Sequence, residues 1–171
     1  MVAARLALVL LVTMVVQVVV ISPLAIAGGR GNLVLLVAIA AALETDAERG
    51  AIAGFAAGLF FDMLLDTPMG LSALTGVLVG WVVGTAKDSV LRDAGIIQLG
   101  LVAVASAFGT LLYAGLAVLF GVTVDPARLP AIVAVISVVN VLFSKPVRWA
   151  LRWAYGPETR AGDRGPSVFR S

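Results

Sequence analysis

The sequence predicts an all-α, polytopic membrane protein of about six transmembrane helices. Three observations predict it: an extreme apolar composition, six separate hydrophobic segments, and basic residues gathered on one side of those segments. Of 171 residues, 61% are hydrophobic and 13% are charged, against about 25% charged in an average soluble domain. A water-soluble fold cannot hide that much apolar side chain, and a disordered chain has far less to bury. The chain has no Cys and no His. That removes disulfides, thiolate and imidazole metal sites, thiol nucleophiles and the usual general base near neutral pH. The net charge of +2 belongs to loops and tail, and does not point to nucleic acid.

The bilayer core asks for roughly 20 apolar residues per helix. Leu6–Ala27 is uncharged and meets that length. Leu33–Leu43 is short, bounded by Arg30 and Glu44; it is expected to run on through the polar stretch to about residue 48, to thin the bilayer, or to be re-entrant. The third segment covers 50–65, with Asp62 inside it, and the fourth covers 69–86. The fifth covers 96–120. The sixth covers about 127–145, with Asp125-Pro126 read as an N-cap and first-turn proline and Lys145-Pro146 as its end. One transmembrane domain, 1–155, results, with an interfacial end at 146–155 and a disordered cytoplasmic tail at 156–171.

Charge orients these spans. With the N-terminus inside and six crossings, Arg5, Arg49, Lys87, Arg92, Lys145, Arg148, Arg152, Arg160, Arg164 and Arg170 are cytoplasmic, and only Arg30 and Arg128 are outside. The positive-inside rule favours this layout, with both termini cytoplasmic. A rival reading takes Arg5, the first apolar run and Ala25-Ile26-Ala27 as a signal peptide, although the run exceeds the usual ~7–15-residue core of such peptides. At the other end, Trp149 and Trp153, like Arg148 and Arg152, are four residues apart. Each pair shares a helix face, and indoles at headgroup depth with arginines toward lipid phosphates would form an interfacial anchor.

Glycine is the second signal. Gly50, Gly54 and Gly58 line one face of the third segment, and Gly76, Gly80 and Gly84 one face of the fourth. Between helices in lipid there is no hydrophobic drive, so close backbone approach through small residues is a main source of association. The strips are expected to pack on each other or to face a partner. Asp62 is the costly group, because an ionisable side chain in a span is a functional candidate by default. It either ties the third helix to free N–H groups near Met69–Leu71, contacts a partner or ligand, or works with Asp66, four positions on, as an intramembrane carboxylate pair. Gln17 and Asn140 are mid-span amides suited to interhelical hydrogen bonds. The acidic run Glu44–Arg49 reads as a solvated loop or as a docking patch for a basic partner.

The stretch Gly50-Ala-Ile-Ala-Gly54-Phe55-Ala-Ala-Gly58-Leu59-Phe-Phe-Asp62, followed by Pro68-Met-Gly70-Leu71-Ser-Ala-Leu74, resembles the central signature of the MreD family of bacterial rod-shape-determining membrane proteins. The Ala- and Val-rich composition resembles that of a high-GC bacterium. The resemblance implies a non-enzymatic scaffold or adaptor in the bacterial inner membrane, without cofactor or metal. It would associate with MreC, and indirectly with MreB and with RodA and its penicillin-binding protein, to organise lateral peptidoglycan synthesis. It also implies a fold similar to the substrate-binding subunits of energy-coupling-factor (ECF) vitamin transporters. That kinship supplies the alternative of a small-molecule transport subunit, for which this chain offers few polar or aromatic groups. The candidate contact residues are therefore Gly50, Gly54, Gly58, Asp62, Asp66, Pro68, Gly70, Gly76, Gly80 and Gly84.

Overall fold

The computed structural model describes residues 2–23, 31–64, 69–90 and 95–156. Asp66, Pro68, the Ala25–Ala27 cleavage motif and the tail beyond Gly156 lie outside the described residues. Within them the fold is all helical: α1 (Val2–Val16), α2 (Leu33–Glu44), α3 (Ala47–Asp62), α4 (Leu71–Val90), α5 (Gly95–Leu119) and α6 (Leu129–Tyr155). Three helices are long and apolar enough to cross a membrane: Val2–Ile21, Ile96–Leu119 and Leu129–Tyr155. Leu33–Glu44 and Leu71–Lys87 are shorter apolar helices.

The centre of the bundle is α2. Every residue from Leu33 to Leu43 is buried, and Leu36 to Ala42 are wholly inaccessible. A helix that is apolar all round must be walled in on every side, and α2 touches each of the other five helices. At twelve residues it is about 18 Å long, well short of the ~30 Å hydrocarbon core. It does not lengthen through the polar stretch, as the sequence suggested. Thr45 stops it, donating both its N–H and its hydroxyl to the Ala41 carbonyl. Asp46 then caps α3, its carboxylate accepting the Arg49 N–H at 2.8 Å. Of the three acids in the supposed solvated loop, Asp46 thus starts a helix, and Glu44 turns inward.

The ends of α1, α5 and α6 carry detail beyond simple pattern reading. α1 passes into a π-helical turn, Gln17–Ile21, in which Ser22 N–H reaches back five residues to the Gln17 carbonyl at 2.8 Å. α5 ends with Gly121 at φ +78°, where Gly121 N–H bonds Val118 and Val122 N–H bonds Ala117, the paired bonds of a Schellman cap. α6 starts three residues later than Asp125-Pro126 suggested: Asp125 caps a separate turn by accepting the Ala127 N–H, and the helix begins at Leu129 with Pro130 in its first turn. Pro146 does not end α6, which runs on to Tyr155. A proline inside a helix leaves one carbonyl without its usual donor.

The glycine strips set the closest helix pair. α3 and α4 run antiparallel, so Gly50 meets Gly80, Gly54 meets Gly76, Gly58 meets Ala73 and Gly84 meets Ala47. A Cβ on Gly54 would stand 2.6 Å from the Gly76 carbonyl carbon, and one on Gly50 would stand 2.5 Å from the Ala42 Cβ of α2. Both strips are thus consumed within the chain, against each other and against α2. Gly115, by contrast, has open space around its Cβ position. Gly54→Ala or Gly76→Ala is expected to lower stability in detergent by about 1–3 kcal/mol, because backbone must move to admit the methyl. Gly115→Ala should be neutral or up to ~1 kcal/mol stabilising through helix propensity. Thermal melts of the three variants check this; equal melting temperatures would contradict it.

Candidate functional site

Asp62 is the last residue of α3 and is 1% exposed. Its carboxylate accepts the Gly70 N–H at 2.9 Å, the Ser72 N–H at 3.1 Å and the Ala73 N–H at 3.2 Å. These are first-turn amides of α4, which have no partner inside their own helix. A carboxylate is the acceptor such an end favours, since the helix dipole places partial positive charge there. Asp62 therefore caps the neighbouring helix from across the hairpin. Gly70 makes the geometry possible: its φ of +98° is reached without strain only by glycine, and it turns the N–H toward the carboxylate. The chain's costly buried acid is thereby paired with the donors that most need an acceptor. Asp66 and Pro68, the other candidates in this hairpin, lie outside the described residues.

Two mid-span amides join other helices. Gln17, at the start of the π-turn and 2% exposed, donates to the Gly31 carbonyl at 2.9 Å and accepts the Leu33 N–H at 2.8 Å. It closes the N-terminal end of α2, together with Asn32, whose side chain accepts the Leu35 N–H. Asn140 of α6, wholly buried, donates to the Ser106 hydroxyl of α5 at 3.0 Å. The Asn140 Oδ1 and the Ser72 hydroxyl are the buried polar side-chain atoms without a partner among the described residues. Ser72 lines a crevice of about 10 Å³ with Asn32, Thr75 and Tyr113, room for about one water.

At the opposite end of α2 lies a cluster that sequence patterning missed. The Glu44 carboxylate, 8% exposed, meets Arg148 Nε at 2.6 Å and Arg152 Nε at 2.7 Å. Arg152 Nη2 adds a second bond at 3.0 Å, and Arg148 Nη1 donates to the Gln98 side chain of α5 at 2.7 Å. The sequence reading aimed these arginines at lipid phosphates; in the structure both engage the Glu44 carboxylate, and the Arg152 side chain remains about half exposed. The Glu44 side chain, with little access to water, is held by pairing with both arginines. The signal was present in the sequence, since Glu44 and Arg148 fall at the same end of their segments. The indoles do face outward, Trp149 at 72% and Trp153 at 48% exposed. The Arg5 guanidinium stacks 5.2 Å from the Trp153 ring centroid.

The sequence matches the family model described as rod shape-determining protein MreD over residues 2–148. The chain belongs to the MreD family. The match takes in all six helices up to Arg148, including the glycine strips, Asp62 and Glu44. Family membership assigns a role in rod shape determination, and with the long apolar helices it marks a membrane protein. Comparison with curated proteins and with solved structures finds no significant match to either. Among the described residues, no group of three or more acidic side chains is placed to hold a metal ion.

In this MreD-family chain, Asp62→Ala is expected to cost about 2–3 kcal/mol, because three amides lose a charged acceptor. Asp62→Asn should cost less, since its one oxygen still accepts. Amide exchange should rise first at Gly70, Ser72 and Ala73. Unchanged exchange at those three positions in Asp62→Ala would sink the capping assignment.

Proposed function

We propose that the chain is a non-enzymatic, multi-pass scaffold of the inner membrane that helps organise lateral peptidoglycan synthesis through MreC, and through it MreB and RodA with a penicillin-binding protein. The observation that carries this reading is the family match across nearly the whole helical bundle. The geometry supports it in a second way. Asp62, Gln17 and Asn140, the polar groups available for chemistry in the bundle, are spent on helix ends and helix contacts. The polar crevice between α2, α4 and α5 has space for about one water, whereas pockets for small organic ligands run to roughly 300–1,000 Å³. The larger hollow, about 470 Å³ between α1 and α6, is lined almost wholly by apolar side chains, so size and converging polar groups do not coincide, which weighs against a vitamin-binding subunit. The six-crossing layout with both termini cytoplasmic is part of the same proposal: it puts Glu44, Arg148 and Arg152, which meet in space, on one membrane side.

A scaffold works through its outer faces, since the glycine strips are engaged within the chain. Large apolar residues project from α3 and α4 at Ile52, Phe55, Leu78 and Trp81, and from α5 at Val104 and Leu111. Ala53, Ala57, Val79 and Val83 point inward and are poor reporter positions. Single cysteines at the six outer positions, in a chain free of native Cys, should crosslink to co-expressed MreC from one helix face only. Recovery of the chain with an ATPase module and a bound vitamin, and without MreC, would overturn the scaffold reading.

A further inference from the structure

The outer surface between α1 and α6 holds a groove of about 470 Å³ that none of the contacts above explains. Leu8, Val12 and Val16 form one wall, and Phe143, Ala150 and Trp153 line the other. From Leu8 to Val16 along α1, or from Phe143 to Trp153 along α6, it is about 12–15 Å long at 1.5 Å per residue. That is close to one leaflet of a ~30 Å hydrocarbon core. Both walls belong to helices long and apolar enough to span a bilayer, so the groove opens where lipid chains lie.

Its mouth is cationic and aromatic. Arg5 lies one turn before Leu8 on α1 and stacks on Trp153, which lines the groove. Arg152 follows on α6, half-exposed, and shares the single negative charge of Glu44 with Arg148. Arg5 thus sets a positive charge against an indole at one end of an apolar slot, and the two arginines that share Glu44 leave a further positive surplus on the same end of α6. Choline-type headgroups carry their own cation and gain little there. An anionic phosphate bearing an acyl chain matches both parts.

We propose that the α1–α6 groove is a binding site for one anionic phospholipid, with an acyl chain in the slot and the headgroup phosphate against Arg5. The site stands on the groove and its charge, and does not depend on MreC. The experiment is native mass spectrometry of the full chain released from micelles doped with phosphatidylglycerol or phosphatidylcholine. One retained phosphatidylglycerol is expected, held in clear preference to phosphatidylcholine. Arg5→Gln should reduce that preference by about five-fold, the loss of one cationic contact near a membrane surface. Ala150→Trp should fill the slot and remove the retained lipid. Val12→Trp fills it from the opposite wall and serves where Ala150→Trp does not fold. Equal retention of the two lipids, retention unchanged in the filled variants, or a dimer in place of a lipid adduct would each overturn the proposal.

Discussion

The fold is organised around a helix that is too short for its surroundings. α2 runs about 18 Å, too short to reach across a ~30 Å hydrocarbon core by itself, and protein encloses it along its length. In hydrocarbon every backbone N–H and C=O must find a partner inside the protein. The rest of the bundle supplies those partners. At the first end, Gln17 and Asn32 accept from Leu33 and Leu35. At the second, Thr45 bonds back to Ala41, and Lys87 of α4 donates to the Thr45 carbonyl. Glu44 is held by arginines from α6. The π-turn in α1 begins at Gln17, the residue that turns inward to bond Gly31 and Leu33.

The same logic governs α3 and α4. Their facing glycines remove side chains from the contact, which lets dispersion and close backbone approach hold the pair where hydrophobicity cannot. Close approach also brings the end of α3 to the start of α4, and there Asp62 takes up the first-turn amides. Packing and capping are therefore linked. Side chains added to the strip would separate the helices and lengthen the three bonds to Asp62.

Legibility from sequence followed the range of each interaction. The glycine strips could be read because a four-residue repeat on two adjacent segments has one simple geometric consequence. The Asp62 cap could be read because the acid and the amides flank one short hairpin. The Glu44–Arg148–Arg152 cluster could not be read from local pattern, since Glu44 lies over 100 residues from either arginine, and an exposed role for basic residues beside tryptophan is the ordinary outcome. α2 as a walled-in core helix was obscured by its length: eleven apolar residues between charges fit several membrane behaviours until the neighbours are known. At Pro146 a local rule pointed to an end, yet α6 goes on, and its last turns carry both arginines that hold Glu44.

Shielding of α2 by protein on every side, with α1, α5 and α6 facing lipid, is open to direct measurement. Photo-crosslinking in bilayers made with diazirine-bearing acyl chains, followed by peptide mass spectrometry, tests it most directly. Label is expected on α1, α5 and α6 and none on Leu33–Leu43; substantial label within α2 would mean that lipid reaches the core helix.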